Sequence, residues 1–128
     1  MCIRDRFTFT NNTLSDHGVF SAFDMGTNVT AVITNNTLRN ITRTVLDVRA
    51  NSTLTYTGND HQGTAGTGGG SVFRFGGGAG ATTVLDGSGN LNNLTNAPTL
   101  CQTNGAASFT GTIDFGGTAL TDNVLPCN

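Results

Sequence analysis

A recurring interval between like segments constrains this chain more than any other feature. Three segments, Phe7-Thr8-Phe9-Thr10-Asn11-Asn12-Thr13-Leu14, Ala31-Val32-Ile33-Thr34-Asn35-Asn36-Thr37-Leu38 and Leu54-Thr55-Tyr56-Thr57-Gly58-Asn59, share one rhythm. Their asparagines stand at 12, 36 and 59, so the interval is 36 − 12 = 24 and then 59 − 36 = 23. One short alternating strand per roughly 20 to 30 residues is the pattern of a solenoid, in which a coil that cannot bury its own face leans on the next. For Asn90, in Val84-Leu85-Asp86-Gly87-Ser88-Gly89-Asn90, the interval from Asn59 grows to 90 − 59 = 31. Removing Gly63 to Gly70, a GTAGTGGG stretch of flexible-loop composition, restores an interval of 23.

Within each segment the alternation puts Phe7 and Phe9, Ala31 and Ile33, and Leu54 and Tyr56 on one face, with Thr and Val on the other. Strands repeating at this interval can lie on one another in parallel register. The inward residues then stack as Phe9, Ile33 and Tyr56, and the turn asparagines as Asn12, Asn36 and Asn59, whose amides can each donate to one neighbour and accept from another. Val45-Leu46-Asp47-Val48, Val72-Phe73-Arg74-Phe75 and the stretch from Phe20 to Phe23 read as further strands of the same coils. The rhythm fades through Asn92-Asn93-Leu94-Thr95-Asn96-Ala97-Pro98 and alternates again over Phe109 to Phe115. Solenoid ends need covering, because an open end exposes strand edges and core.

The alternating strand followed by Asn-Asn or Gly-Asn and then Thr-Leu resembles the right-handed parallel β-helix repeat proteins, the pectin-lyase-like superfamily, including adhesins and autotransporter passengers. The resemblance implies an all-β fold, a right-handed parallel β-helix (a single-stranded β-solenoid) of about four coils plus a C-terminal cap. We expect coils over residues 7–96, the Gly-rich insert at 63–70, and the cap at 97–128. The resemblance covers roughly residues 7 to 95 and says little about activity, because this architecture hosts lyases, hydrolases and binding proteins alike.

Composition supports an extracellular object. Only 11% of residues are charged and all six cations are Arg, with polarity supplied by Thr, Asn, Ser and Gly. Eight Phe and many β-branched residues argue against disorder. A net charge of −2 offers no cationic cluster for a nucleic-acid backbone. No apolar run reaches the roughly 18 to 20 residues of a membrane-spanning helix. Met1 to Arg6, reading MCIRDR, resembles a translated sequencing adaptor of the kind found in metagenomic gene fragments, and residues 1–6 are set aside as non-biological. The remaining pair, Cys101 and Cys127, brackets the C-terminal stretch and is expected to form a disulfide in an oxidising compartment. The expected location is extracellular or at the cell surface, with a bacterial outer surface favoured.

No catalytic constellation stands out. Asp16-His17-Gly18 and Asp60-His61 are the two places where an acid adjoins a His, and they read as hydrophilic turn residues that do not stack on one another. Polygalacturonase-type sites combine an Asp-Asp pair, Gly-His-Gly and Arg-x-Lys, none of which occurs here. Arg39, Arg43, Arg49 and Arg74 lack the acids of a calcium-dependent lyase. Asp86 to Asn90 lacks the later ligands of a calcium loop, and Gly76 to Gly80 lacks the ending of a phosphate cradle. Six Asn-x-Ser/Thr sequons, at Asn11, Asn28, Asn35, Asn40, Asn51 and Asn93, read as products of composition. The outward Thr8, Thr10, Val32, Thr34, Thr55 and Thr57 would form a Thr-rich face able to match an ordered lattice. No catalytic, cofactor-binding or metal residue is assigned and no cofactor is expected. The reading is a non-catalytic scaffold or adhesive, carbohydrate-contacting surface, with carbohydrate or a host or cell-surface ligand and upstream coils of the same protein as partners. The alternative is the C-terminal part of a polysaccharide lyase or glycoside hydrolase with its active site on upstream coils.

Overall fold

The computed structural model describes residues 5–18, 21–65, 72–76, 80–96, 100–102 and 109–120, with backbone alone at 100–102. Stretches such as TAVIT and TLTYT are strands because β-branched and aromatic residues suit a pleated surface and every second side chain is apolar. They form repeating triplets: β1 (Arg6–Thr10), β2 (Thr13–Ser15) and β3 (Phe23–Met25); β4 (Thr30–Thr34), β5 (Thr37–Ile41) and β6 (Leu46–Val48); β7 (Thr53–Thr57), β8 (Asp60–Ala65) and β9 (Phe73–Phe75); β10 (Thr82–Asp86), β11 (Leu91–Leu94) and β12 (Leu100–Gln102). Then follow β13 (Phe109–Thr110), β14 (Ile113–Phe115) and β15 (Thr118–Leu120).

Equivalent strands of successive triplets pair in parallel, giving sheets of order β1-β4-β7-β10-β13, β11-β8-β5-β2 and β12-β9-β6-β3. The chain is therefore an all-β parallel solenoid of about three turns. The count is slightly below the four coils expected. Phe9 lies on Ile33 and Ile33 on Tyr56, while Phe7, Ala31 and Leu54 form the neighbouring inward column. Ile33, Leu54, Tyr56, Leu46, Val72, Phe73 and Phe75 are wholly buried between the sheets.

The first three coils each turn at three corners occupied by a residue in the left-handed region, where Asn, Asp and Gly are tolerated best. Asn11, Asn35, Gly58 and Gly89 occupy the first, Asp16, Asn40 and Gly63 the second, and Asn28, Asn51 and Gly80 the third. Glycine is required where the asparagine of the coil before lies over it: a Cβ on Gly58 would run into Asn35 Oδ1, and one on Gly63 into Asn40 Oδ1.

The extra length between Asn59 and Asn90 is not one insert at 63–70. Gly63 and Ala65 belong to β8, where Gly63 pairs with Leu94 and Ala65 with Ile41. On the third sheet the interval from Phe23 to its partner Leu46 is 46 − 23 = 23, whereas that from Leu46 to Phe73 is 73 − 46 = 27. Of that excess of four, one residue is a bulge within β8, where Arg39 pairs with Gln62 but Ile41 with Ala65, and three fall between Ala65 and Phe73. The interval from Thr53 to Thr83 is 83 − 53 = 30, which adds three more between Phe75 and Thr83. The last is a bulge between Val84 and Asp86, which leaves Leu85 exposed.

Residues 97–128 also divide. β12 and β13 still extend two of the solenoid sheets, whereas β14 and β15 turn back as an antiparallel hairpin. Phe115 of that hairpin packs edge-on against Phe73 at 5.3 Å, and Phe109 stacks on Phe75 at 4.5 Å, so aromatic side chains lie over this end of the core.

Because the inward columns carry the packing, position within the stack sets the cost of truncation. Ile33→Ala should cost about 3 kcal/mol, from lost transfer energy and a residual cavity, whereas Phe7→Ala, at the more open end, should cost about 1 kcal/mol. Urea unfolding of the two variants checks the order.

Candidate functional site

Asn36, Asn59 and Asn90 form a buried ladder of side-chain amides. Asn36 donates both its backbone N–H and its Nδ2 to Asn59 Oδ1, at 3.1 and 2.9 Å. Asn59 repeats the pair onto Asn90 Oδ1, with both contacts at 3.1 Å. Each Nδ2 also reaches back to a carbonyl of the coil before: Asn36 to Phe9, Asn59 to Ile33 and Asn90 to Tyr56, at 2.9, 3.0 and 2.8 Å. Leaving one such buried amide group unpartnered costs about 1 to 3 kcal/mol, so these residues are structural. Asn12 donates its backbone N–H to Asn36 Oδ1 at 2.9 Å but stays exposed.

The two acid–His pairs separate. Asp16 is a corner residue in the left-handed conformation, as a turn reading expects, and accepts from Asn40 Nδ2 at 3.0 Å. The turn reading is wrong for His61, which sits within β8 on the inward column, in register with Leu38. Tyr56 Oη lies 3.0 Å from His61 Nε2, while Nδ1 is buried with no hydrogen-bond partner. The imidazole is enclosed by Tyr56, Phe73 and Phe115, with the Phe115 ring 4.8 Å away. Burial pushes the His61 pKa from 6.5 down to about 3, against a weaker upward pull from Asp60. Burial likewise pushes the Tyr56 hydroxyl well above its usual value. Asp60 faces outward, accepting from Gln62 Nε2 and Asn93 Nδ2, both at 2.7 Å. A ring walled in by aromatic side chains cannot meet a sugar at the surface. Among the described residues no three His, Cys, Asp or Glu side chains gather into a metal cage.

On the third sheet Asp24, Asp47 and Arg74 align, and Arg74 pairs with Asp47 at 3.1 Å. Burial raises the Asp47 carboxyl and Arg74 opposes it, with Asp24 adding to the rise. Cys101 pairs in register with Arg74 through its backbone. Cys127, and with it the expected disulfide, lies outside the described residues.

The outward surface of β1, β4, β7, β10 and β13 is rich in threonine. Thr10, Thr34 and Thr57 form one column, and Thr8, Val32 and Thr55 a second. A third, missed from the sequence, continues from Arg6 through Thr30, Thr53, Thr83 and Thr110. Parallel strands about 4.8 Å apart, with outward positions about 6.6 Å apart along each strand, make this a two-dimensional array. Thr10 and Thr34 hydroxyls lie 3.1 Å apart, so neighbouring rungs interact. Arg6 heads the third column on β1, and Asp86 follows Thr55 in the second on β10.

No family model, curated protein or solved structure matches the chain. The corners account for the placement of most of the sequons. Five of them, at Asn11, Asn28, Asn35, Asn40 and Asn51, begin at left-handed corner asparagines. A Thr or Ser that serves the following coil segment stands two positions on.

His61 makes folding pH-dependent. Its pKa is lower in the folded chain than in the unfolded one, so the unfolded state binds the extra proton between the two values. Stability is complete above about pH 6.5 and falls as the pH drops towards 3, by a total on the order of 4 kcal/mol. His61→Leu, which continues the Leu14 and Leu38 column, should remove most of that slope in urea titrations at pH 7 and pH 4.

Proposed function

We propose that the chain is a non-catalytic, secreted or cell-surface solenoid whose threonine array is a contact surface for an ordered carbohydrate. The observation that carries this reading is the in-register set of Thr columns on one sheet. Short side chains carrying both a methyl group and a hydroxyl can lie against a sugar face while offering hydrogen bonds. Their regular spacing suits a repeating partner better than a single small molecule. Because the hydroxyls are held by strands on a packed core, little conformational entropy is lost on contact. A likeness to the pectin-lyase-like superfamily and its adhesins, extracellular location, and a Cys101–Cys127 disulfide belong to the same proposal.

The rival reading, an appendage of a polysaccharide lyase or hydrolase, would place its acids on other coils. Here the two acid–His pairs point apart, one at a corner and one straddling the sheet with its imidazole in the core.

Adsorption to insoluble cellulose and chitin tests the proposal. The double variant Thr34→Glu, Thr55→Glu should weaken adsorption at least about tenfold, equivalent to about 1.4 kcal/mol, with an unchanged melting temperature. Thr37→Glu, on another sheet, should adsorb like the parent. No adsorption by the parent, or equal loss in both variants, would show that the array is not the contact surface.

A further inference from the structure

The two ends of the solenoid are finished differently. At one end Asn90 Nδ2 donates to Asp114 O at 3.1 Å, Asp114 N–H to Gly87 O at 2.8 Å, and Gly116 N–H to Asn90 O at 2.9 Å. The hairpin thereby takes up the last rung of the ladder, and Phe115 is buried beneath it. At the other end the ladder is interrupted. Asn36, Asn59 and Asn90 each send Nδ2 back to the carbonyl of a preceding coil, but Asn12 turns its Nδ2 onto Thr10 O of its own coil, at 2.8 Å. Its Oδ1 accepts from none of the described residues, although the same atom of Asn36, Asn59 and Asn90 accepts from the coil before.

The packing repeats this asymmetry. Phe7, Phe9 and Phe23 cluster with ring centroids 5.1 to 6.3 Å apart. Phe7 remains 36% exposed, while Ala31 and Leu54 in its column are 2% and 0% exposed. Among the described residues β1, β2 and β3 are the terminal strands of their three sheets, each bonded on one side only.

We propose that the face formed by β1, β2 and β3 seats one more coil of the same repeat, supplied by the same polypeptide on the N-terminal side of Arg6. That coil would donate the backbone N–H and Nδ2 of its own corner asparagine to Asn12 Oδ1. It would accept from Asn12 Nδ2 through the carbonyl three positions before that asparagine, as Phe9 and Ile33 accept now. Its inward side chains would cover Phe7 and Phe9. The interface is a continuation of the coil-to-coil contact already made three times in the stack. A second copy stacked head to tail is disfavoured, since the end it would have to present is covered by the hairpin.

The test duplicates residues 30–52 directly before Arg6, with a second version joined through a short Gly-Ser spacer to guard against a poor junction. The extended chain should melt at least about 4 °C above the parent. Asn12→Ala should lower the melting temperature of the extended chain by about 4 °C and that of the parent by less than about 2 °C. Light scattering should find the parent monomeric. No gain in either extended version, or an Asn12→Ala effect of equal size in both backgrounds, overturns the proposal. A parent dimer that Phe7→Asp dissociates also overturns it, because a second copy would then occupy the face.

Discussion

The buried asparagine amides of the first corner are the interaction on which the rest of the solenoid depends. Strands as short as these form too little ladder of their own to fix a corner. A chain that bends every few residues must also satisfy the backbone groups released at each bend. One asparagine per coil does both at Asn36, Asn59 and Asn90. It accepts from the coil before through Oδ1 and donates to that coil's carbonyl through Nδ2. Coil height and strand register are thus set by one repeated side chain. The apolar columns beside it can vary from Phe9 to Ile33 to Tyr56 without moving the backbone.

That division separates stability from surface chemistry. Inside, the stack closes on aromatic rings, and His61 is held there as a neutral group with a single hydrogen bond to Tyr56. Outside, the side chains answer only to β-propensity and to their neighbours one rung away. The sheet of Thr columns is therefore free to be shaped by whatever it touches, and a substitution there need not disturb the core.

Register was legible because it depends on interval and alternation, both written in the residues: Phe9, Ile33 and Tyr56 could be aligned by counting. The corner asparagines were legible in part. The pairs Asn11-Asn12, Asn35-Asn36, Gly58-Asn59 and Gly89-Asn90 were visible, but the first residue of each is a left-handed corner and only the second is a ladder rung. Counting does not distinguish these roles. The missed Thr column needed knowledge of where strands begin, since Thr30 and Thr53 stand at strand starts beyond the clear alternation. The placement of His61 was missed because Asp-His after Asn59 has turn composition. Its inward side follows only when β8 is known to run directly from the corner. The extra length before Asn90 was misplaced because Gly63 looks like loop but is a corner that Asn40 makes obligatory.

The most direct test of this account is hydrogen exchange of the asparagine side-chain amides, followed by NMR on the folded chain. If the ladder holds the coils in register, the Nδ2 protons of Asn36, Asn59 and Asn90 exchange as slowly as the backbone amides of Ile33 and Tyr56, and those of Asn12 exchange quickly. Rapid exchange at Asn59, at the rate of a solvent-exposed amide, would contradict it.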